Sequence, residues 1–209
     1  RMEKHEHEPI VEPKELPRSL LRAALDYLGE LIRVVVISLA IILPVRYFLV
    51  QPFYVKGASM EPNFYDHEYL VIDEISYRLR DPARGEIVVF RYPNDPRQFF
   101  IKRVIGLPGE TVQFDNGKII IKNANNSQGF VLNEAYLDPA LSTLSTTGGQ
   151  EVTLGRDKYY LLGDNRTSSL DSRYFGALAR SYMIGRVWIR GWPLDRVTKF
   201  LTPTYEIGK

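Results

Sequence analysis

Two residues of the chain have the types and settings needed for nucleophilic chemistry. Ser59 lies in the segment GASMEP at 57–62, where small neighbours leave its hydroxyl accessible. Lys102 lies in the apolar stretch FFIKRVI at 99–105. Burial of a lysine disfavours its charged form and lowers its pKa, which makes a neutral amine available. Such an amine can accept the proton of a serine hydroxyl, so the two residues could act as nucleophile and general base.

Both residues also have ordinary structural interpretations. A serine in a loop of small residues is usually only a loop residue, and simple alternation along a strand would let Phe100 and Lys102 both face solvent. A Ser-His-Asp triad would have to use His67, only eight residues after Ser59. The lysine interpretation is the stronger of the two catalytic ones.

A third polar segment, GDNRTSSLDSR at 163–173, follows an apolar run that resembles a strand. Such a segment is typical of a self-hydrogen-bonded turn, or of a cation site that would use Asp164 and Asp171. No further ligand spacing supports a metal, and the chain has no cysteine to bind zinc or an iron–sulfur cluster. We therefore expect neither a metal nor a cofactor.

An apolar segment precedes these residues and predicts a membrane anchor. Residues 31–50 read LIRVVVISLAIILPVRYFLV, and twenty helical residues span about 30 Å, the thickness of a bilayer's hydrocarbon core. A buried core helix is one alternative, but it would also bury Arg33 and Arg46. A cleaved signal sequence is the other, but it would place Lys56 where cleavage requires a small residue.

Basic residues are concentrated on one side of the predicted span. Four lie shortly before it or at its start, Lys14, Arg18, Arg22 and Arg33, whereas only Lys56 lies in the twenty residues that follow it. The positive-inside rule then predicts a cytoplasmic tail at 1–30, a single-pass anchor in the cell membrane at 31–50, and an extracytoplasmic domain at 51–209.

Beyond residue 51 the sequence changes to short β-rich runs separated by turns. The runs lie at 68–73, 86–92, 99–106, 111–114, 118–122, 158–163 and 184–192. The DNG turn at 115–117 predicts a hairpin. The polar region 123–150 predicts long surface loops around a short strand near 130–132. We expect a mostly β fold class, with antiparallel sheets that are either folded or closed in part into a barrel.

In combination the motifs are much more specific than any one of them. The order is SMEP at 59–62 after a predicted span, KRV at 102–104 in a predicted strand, and then the segment 163–173. This arrangement resembles bacterial type I signal peptidase (leader peptidase), a family with a Ser/Lys dyad. GLPG at 106–109 and GRVWIRGWP at 185–193 are similar to neighbouring segments of that family, so the resemblance covers residues 31–193.

The resemblance implies a membrane-bound serine endopeptidase that removes N-terminal signal peptides from exported preproteins. Cleavage would follow small-x-small sites such as Ala-x-Ala and pass through an acyl-enzyme. Ser59 would be the nucleophile and Lys102 the general base. Ser169 would hydrogen-bond the lysine amine, and Asp171 and Arg173 would form a supporting ion pair.

For the substrate, the resemblance implies that Val55, Met60 and Ile101 line shallow pockets for the small side chains. The Ser59 backbone N–H would bind the oxyanion. Many members of the family carry a second, hydroxyl donor two residues earlier, but here that position is Gly57. The second donor would therefore have to come from the backbone, with Gly57 as the candidate, or from water.

The expected partners are preproteins and the lipid bilayer, which an apolar rim near Phe53, Tyr54 and Trp192 would touch. A net charge of +2 gives no indication of nucleic-acid binding. Two other functions remain open: a different Ser–Lys peptidase, such as a self-cleaving repressor or a pilus-maturation peptidase, and an inactive tethered module that binds exported proteins. The N-terminal segment is too short and too polar for the helix-turn-helix of a repressor.

Overall fold

A computed structural model describes residues 18–44, 51–144, 151–202 and 205. The chain divides into two compact units, one ending at Pro44 and the other beginning at Val45. The first unit contains helix α1, Arg18–Pro44, whose 27 residues correspond to a length of about 40 Å. Its apolar side chains are exposed, as Val36 (58%) and Ile41 (61%) illustrate.

The predicted membrane span falls only partly within the described residues. By the hydropathy of its sequence, no helix in the described part of the chain is apolar enough over a sufficient length to cross a bilayer. Residues 45–50, the last part of the predicted span, lie outside the described residues, as do residues 1–17 of the predicted tail. The span at 31–50 therefore stays a prediction.

The second unit is built from short strands. In the described residues the strands are β1 Gln51–Tyr54, β2 Tyr69–Asp73, β3 Ile87–Tyr92, β4 Asp95–Gly106, β5 Thr111–Asp115, β6 Lys118–Asn123, β7 Asn126–Val131, β8 Glu151–Thr153, β9 Lys158–Leu162, β10 Leu178–Ala179, β11 Met183–Trp192 and β12 Thr198–Lys199. Two helices of one turn, α2 Ser76–Leu79 and α3 Ser172–Phe175, connect them. Single 3₁₀ turns lie at Arg180–Tyr182 and Leu194–Arg196.

The strands form two antiparallel sheets. The larger has the order β1-β2-β11-β3-β4-β9-β10, with β12 added beside β11, and the smaller has the order β7-β6-β5-β8. The prediction of an antiparallel, mostly β fold is confirmed, but that of a partly closed barrel is wrong. In the described part of the chain β1 and β10 end the larger sheet without pairing with each other, because the strands between 111 and 153 pair among themselves.

The central strand β3 has a continuous apolar sequence because both of its faces are buried. Ile87 and Val89 point into the cluster beneath the serine loop, whereas Val88 and Phe90 point into a second cluster on the opposite face. Successive side chains of a strand face opposite ways, so a strand covered on both faces has no polar alternation. A third cluster lies around the smaller sheet and includes Ile105 of β4.

The predicted hairpin is confirmed. Strands β5 and β6 pair antiparallel around the DNG turn, and Asn116 and Gly117 have φ angles of 47° and 77°. Two positive φ angles in a two-residue loop match the twist of the flanking strands, and asparagine followed by glycine tolerates them best. The short strand predicted near 130–132 overlaps the end of β7.

Candidate active site

Ser59 lies in the loop between β1 and β2, and other residues of this loop hold its backbone in place. Its two ends are joined by hydrogen bonds from Val55 N–H to Glu68 O, 2.8 Å, and from His67 N–H to Val55 O, 3.1 Å. Met60 (1% exposed) and Phe64 (0%) bury their side chains in the apolar cluster under the loop. The backbone around Ser59 is therefore fixed by buried side chains.

A second segment holds the same backbone from the other side. Asn165 donates its N–H to Ser59 O and its side-chain Nδ2 to Ala58 O, both at 3.1 Å. A Cβ atom at Gly163 would collide with Ser59 O and with Ser169 Oγ, so only glycine allows this close approach. Asn165 was not among the predicted site residues, although its place directly after Gly163-Asp164 was a usable signal.

Strand β4 carries Lys102 to the serine hydroxyl. The lysine pairs in register with Val88 of β3, and its side chain is only 3% exposed. Its Nζ lies 2.7 Å from Ser59 Oγ and donates to Ile101 O at 2.7 Å. The ring of Phe100 lies 5.5 Å from the same nitrogen. The alternative in which Lys102 faces solvent is therefore wrong, because β4 is covered on both faces at this point.

Burial lowers the pKa of Lys102 from its usual 10.5 to about 8. The cause is the loss of water around the ammonium group, while the negative charges of Asp171 and Asp164 act in the opposite direction and raise the pKa. Loss of hydration outweighs those two charges. An appreciable fraction of the amine is then neutral near neutral pH and can accept a proton across the 2.7 Å contact with Ser59.

The segment 163–173 places Ser169 beside the serine loop but gives its hydroxyl no partner. Ser169 is 9% exposed, and within the described residues its Oγ makes no hydrogen bond. The predicted bond from Ser169 to the Lys102 amine is accordingly not formed in this geometry. Ser169 nevertheless packs against Gly163, which itself lies against Ser59.

Asp171 and Arg173 form the expected ion pair, with Nη2 and Oδ2 separated by 2.8 Å. The Asp171 carboxylate is fully buried, and it also accepts the Gly163 N–H at 3.1 Å. It further accepts the Arg173 backbone N–H at 3.2 Å and so caps α3. These bonds fix the bend of the segment that contacts Ser59.

Next to Lys102 in the strand, Arg103 makes a contact that the sequence did not indicate. Its guanidinium binds Asp164 in a bidentate manner, at 2.8 and 2.6 Å, and stacks 3.8 Å from the ring centre of Tyr136. Asn63 also donates to Asp164, at 2.8 Å. Asp164 is thus engaged by an arginine and an amide rather than placed as a cation ligand. No cluster suited to a metal occurs in the described ranges.

A groove of about 540 Å³ opens at Ser59. Val55 and Ile101 line it, as the resemblance predicted, whereas Met60 lies in the apolar cluster below and does not line it. The lining residues are Phe53, Tyr54, Val55, Lys56, Ser59, Leu70, Val89, Gln98, Phe99, Phe100, Ile101, Lys102 and Leu170.

Residues 99–101 of β4 pair with β3 on one edge, and the pairing with β9 begins only at Arg103. The other edge of β4 is therefore open along the groove.

The backbone donors near Ser59 differ in availability. Gly57 has a φ of 89°, a value that favours glycine, and its N–H donates to Asp66 Oδ1 at 2.9 Å. Within the described part of the chain the Ser59 N–H has no acceptor. The Ser59 N–H can therefore bind an oxyanion, whereas the Gly57 N–H is occupied.

Comparison with known proteins agrees with this geometry. The family model described as signal peptidase, peptidase S26, matches residues 28–192. The protein named "Probable signal peptidase I-2" of Synechocystis sp. is 38% identical over 174 residues, covering 80% of this chain and 75% of the relative. Signal peptidase I of Leptolyngbya laminosa is 35% identical and covers 84% and 85%, respectively. Signal peptidase I P of Bacillus subtilis subsp. natto is 32% identical and covers 79% and 90%.

The matched range contains all three segments of the site: the serine loop, the lysine strand and the segment 163–173. Each of the three alignments covers more than three quarters of this chain and three quarters or more of the relative. The similarity is therefore not confined to one motif. The chain belongs to the signal peptidase family, peptidase S26.

Proposed function

We propose that this chain is a serine endopeptidase that removes N-terminal signal peptides from exported preproteins. The observation that carries the proposal is the 2.7 Å contact between Ser59 Oγ and the amine of Lys102, a side chain with 3% exposure. A hydroxyl and a buried amine at this distance are the two parts of a Ser–Lys catalytic pair.

The reaction follows from the two protonation states of the lysine. The neutral Lys102 amine accepts the proton of Ser59 Oγ as this oxygen attacks the carbonyl carbon of the scissile bond. The resulting oxyanion is bound by the Ser59 N–H. The tetrahedral intermediate breaks its C–N bond, Lys102 returns the proton to the leaving amine, and an ester to Ser59 remains. Water then attacks the ester carbonyl carbon and gives a proton to Lys102. The ester bond to Ser59 breaks, Lys102 returns the proton to Ser59 Oγ, and the cleaved segment leaves as a carboxylic acid.

The groove supports a preference for small residues at the −1 and −3 positions, the first and third residues before the cut. An extended substrate can hydrogen-bond to the open edge of β4 at residues 99–101, which is strand addition to a sheet. In an extended strand alternate side chains face the same way, so the −1 and −3 side chains would both enter the pocket lined by Val55 and Ile101.

We further propose a single-pass arrangement in the cell membrane, with tail 1–30 in the cytoplasm, anchor 31–50 and catalytic domain 51–209 outside. The apolar sequence at 31–50 and the basic residues before it support the arrangement. In the catalytic unit, Tyr54 (46% exposed) contacts Tyr69 (48%) edge to face at 5.2 Å, and Tyr69 pairs in register with Trp192 (51%). These aromatic residues would form the rim that touches lipid. Unchanged liposome association and activity in Trp192→Ser would remove the lipid contact from the proposal.

The experiment that tests the function is cleavage of a preprotein with an Ala-x-Ala site by the detergent-solubilised chain. Wild type, Ser59→Ala and Lys102→Ala are compared at equal concentration, with the cut position determined by mass spectrometry. We expect only wild type to cut, after the second alanine. Cleavage by either variant at the wild-type rate would overturn the assigned pair, and binding without cleavage by wild type would favour a tethered binding module.

A further inference from the structure

The groove at Ser59 has an unbalanced charge. Of the described residues that line it, two are cationic, Lys56 and Lys102, and none is acidic. Lys102 is buried, and its amine is engaged by Ser59 Oγ and Ile101 O. Lys56 is exposed. The accessible charge of the groove is therefore the single ammonium group of Lys56.

This ammonium group has no counter-ion among the described residues. In the described part of the chain Lys56 makes no ion pair and no side-chain hydrogen bond. Asp66, a carboxylate of the same loop, accepts the Gly57 N–H at 2.9 Å and pairs with His67 Nδ1 at 3.0 Å. An exposed cation beside the nucleophile is then free to interact with whatever occupies the groove.

The alternation of side chains indicates which substrate residue Lys56 would meet. Val55 is 4% exposed and points into the apolar cluster, and Lys56, the next residue, is exposed on the other side. A substrate strand whose −1 and −3 side chains share the pocket with Val55 turns its −2 side chain away from that pocket. Lys56 lines the same groove and is exposed at its open side, which is the side that the −2 side chain faces.

We propose that Lys56 makes this peptidase favour an acidic side chain at the middle position of the small-x-small site. The inference rests on the proposed function and adds to it a preference for preproteins with Asp or Glu at −2. The interaction is between exposed charges, so the gain is modest: about two- to fivefold in kcat/KM. It decreases as salt concentration rises, because ions screen exposed charges.

The test uses three preproteins that differ only at the −2 position, as Ala-Glu-Ala, Ala-Gln-Ala and Ala-Lys-Ala. The measured quantity is the ratio of kcat/KM for the Glu and Gln substrates, with wild type, Lys56→Gln and Lys56→Glu. We expect a ratio of about two to five for wild type, close to one for Lys56→Gln, and below one for Lys56→Glu. Lys56→Glu should in addition cut the Lys substrate faster than the Gln substrate.

A matched control is Lys118→Gln, which removes an exposed lysine of β6 in the smaller sheet. Its Glu/Gln ratio should equal that of wild type. A ratio that is the same in wild type and Lys56→Gln would overturn the inference. Failure of the proposed function gives a different result, because wild type would then cut none of the three substrates.

Discussion

Lys102 and Arg103 are adjacent in one strand and almost equally buried, at 3% and 4% exposure, but their surroundings are opposite. Arg103 is held by two bonds to Asp164 and one to Gly85 O. Among the described residues Lys102 hydrogen-bonds only with a hydroxyl and a carbonyl, those of Ser59 and Ile101. Burial lowers the pKa of both cations, but for Arg103 the bonds and charge of Asp164 outweigh it and the pKa is raised. For Lys102 burial prevails.

The difference shows how a protein can bury two cations and make only one reactive. Two carboxylates, Asp164 and Asp171, act on the pKa of Lys102 through their charge. Each is bound by an arginine, Asp164 by Arg103 and Asp171 by Arg173. Neither is left to form a direct ion pair with the amine. A buried charge without a direct counter-ion is costly, and the amine avoids the cost by losing its proton.

The largest expected effect is on catalysis. Lys102→Arg keeps a positive charge at all accessible pH values, so it removes the base while leaving the charge. We expect kcat/KM to fall about 10³-fold or more, as much as in Lys102→Ala. Steady-state cleavage of an Ala-x-Ala substrate measures the effect. Substantial turnover in the arginine variant would mean that a neutral amine is not required.

The next largest effect is on the stability of the protein, and it distinguishes Arg103 from Lys102. Arg103→Met leaves Asp164 buried without its counter-ion, and we expect it to lower the free energy of unfolding by about 3–5 kcal/mol. Lys102→Met removes an amine whose charged form is already disfavoured, so we expect a change below about 1 kcal/mol. Urea unfolding followed by tryptophan fluorescence measures both. Equal losses in the two variants would contradict the comparison.

The pH dependence follows from the sign of the Lys102 shift. Only the unprotonated amine acts as base, so kcat/KM should rise about tenfold per pH unit below the pKa of about 8 and level off above it. Asp171→Asn removes a negative charge that raises this pKa, and we expect its midpoint at lower pH. A midpoint near the usual 10.5 in the wild-type profile would show that burial does not control the base.

The smallest expected effect concerns Ser169. Its buried hydroxyl has no hydrogen-bond partner among the described residues, so Ser169→Ala should leave the free energy of unfolding within about 0.5 kcal/mol of wild type or raise it. We propose that this hydroxyl, unbonded in the structure, hydrogen-bonds the Lys102 amine during the reaction, and we therefore expect Ser169→Ala to lower kcat about tenfold. Ser169→Thr, which keeps the hydroxyl, is the control. A loss of stability with unchanged kcat would assign Ser169 a purely structural role.

The sequence predicted the long strands because they are apolar over several residues. Strands β2, β3, β4, β9 and β11 fall on predicted runs, and the hairpin β5–β6 follows from its turn. Four strands were missed: β1, β8, β10 and β12, of four, three, two and two residues. All are short and depend on a partner strand: β1 pairs with β2, β8 with β5, β10 with β9 and β12 with β11. A strand stabilised mainly by its neighbour leaves little pattern of its own.

The sequence by itself determined the residue types and the order of the motifs, which were sufficient to predict the family and to name Ser59 and Lys102. Only the tertiary structure decided that Lys102 is buried, that Arg103 takes Asp164, that Met60 lies below the groove and that the Gly57 N–H is occupied. Ser59 and Lys102 are separated by 43 positions, and Arg103 and Asp164 by 61. Burial and pairing of this kind arise from contacts between distant segments, and the pKa of a buried group depends on those contacts rather than on its neighbours in sequence.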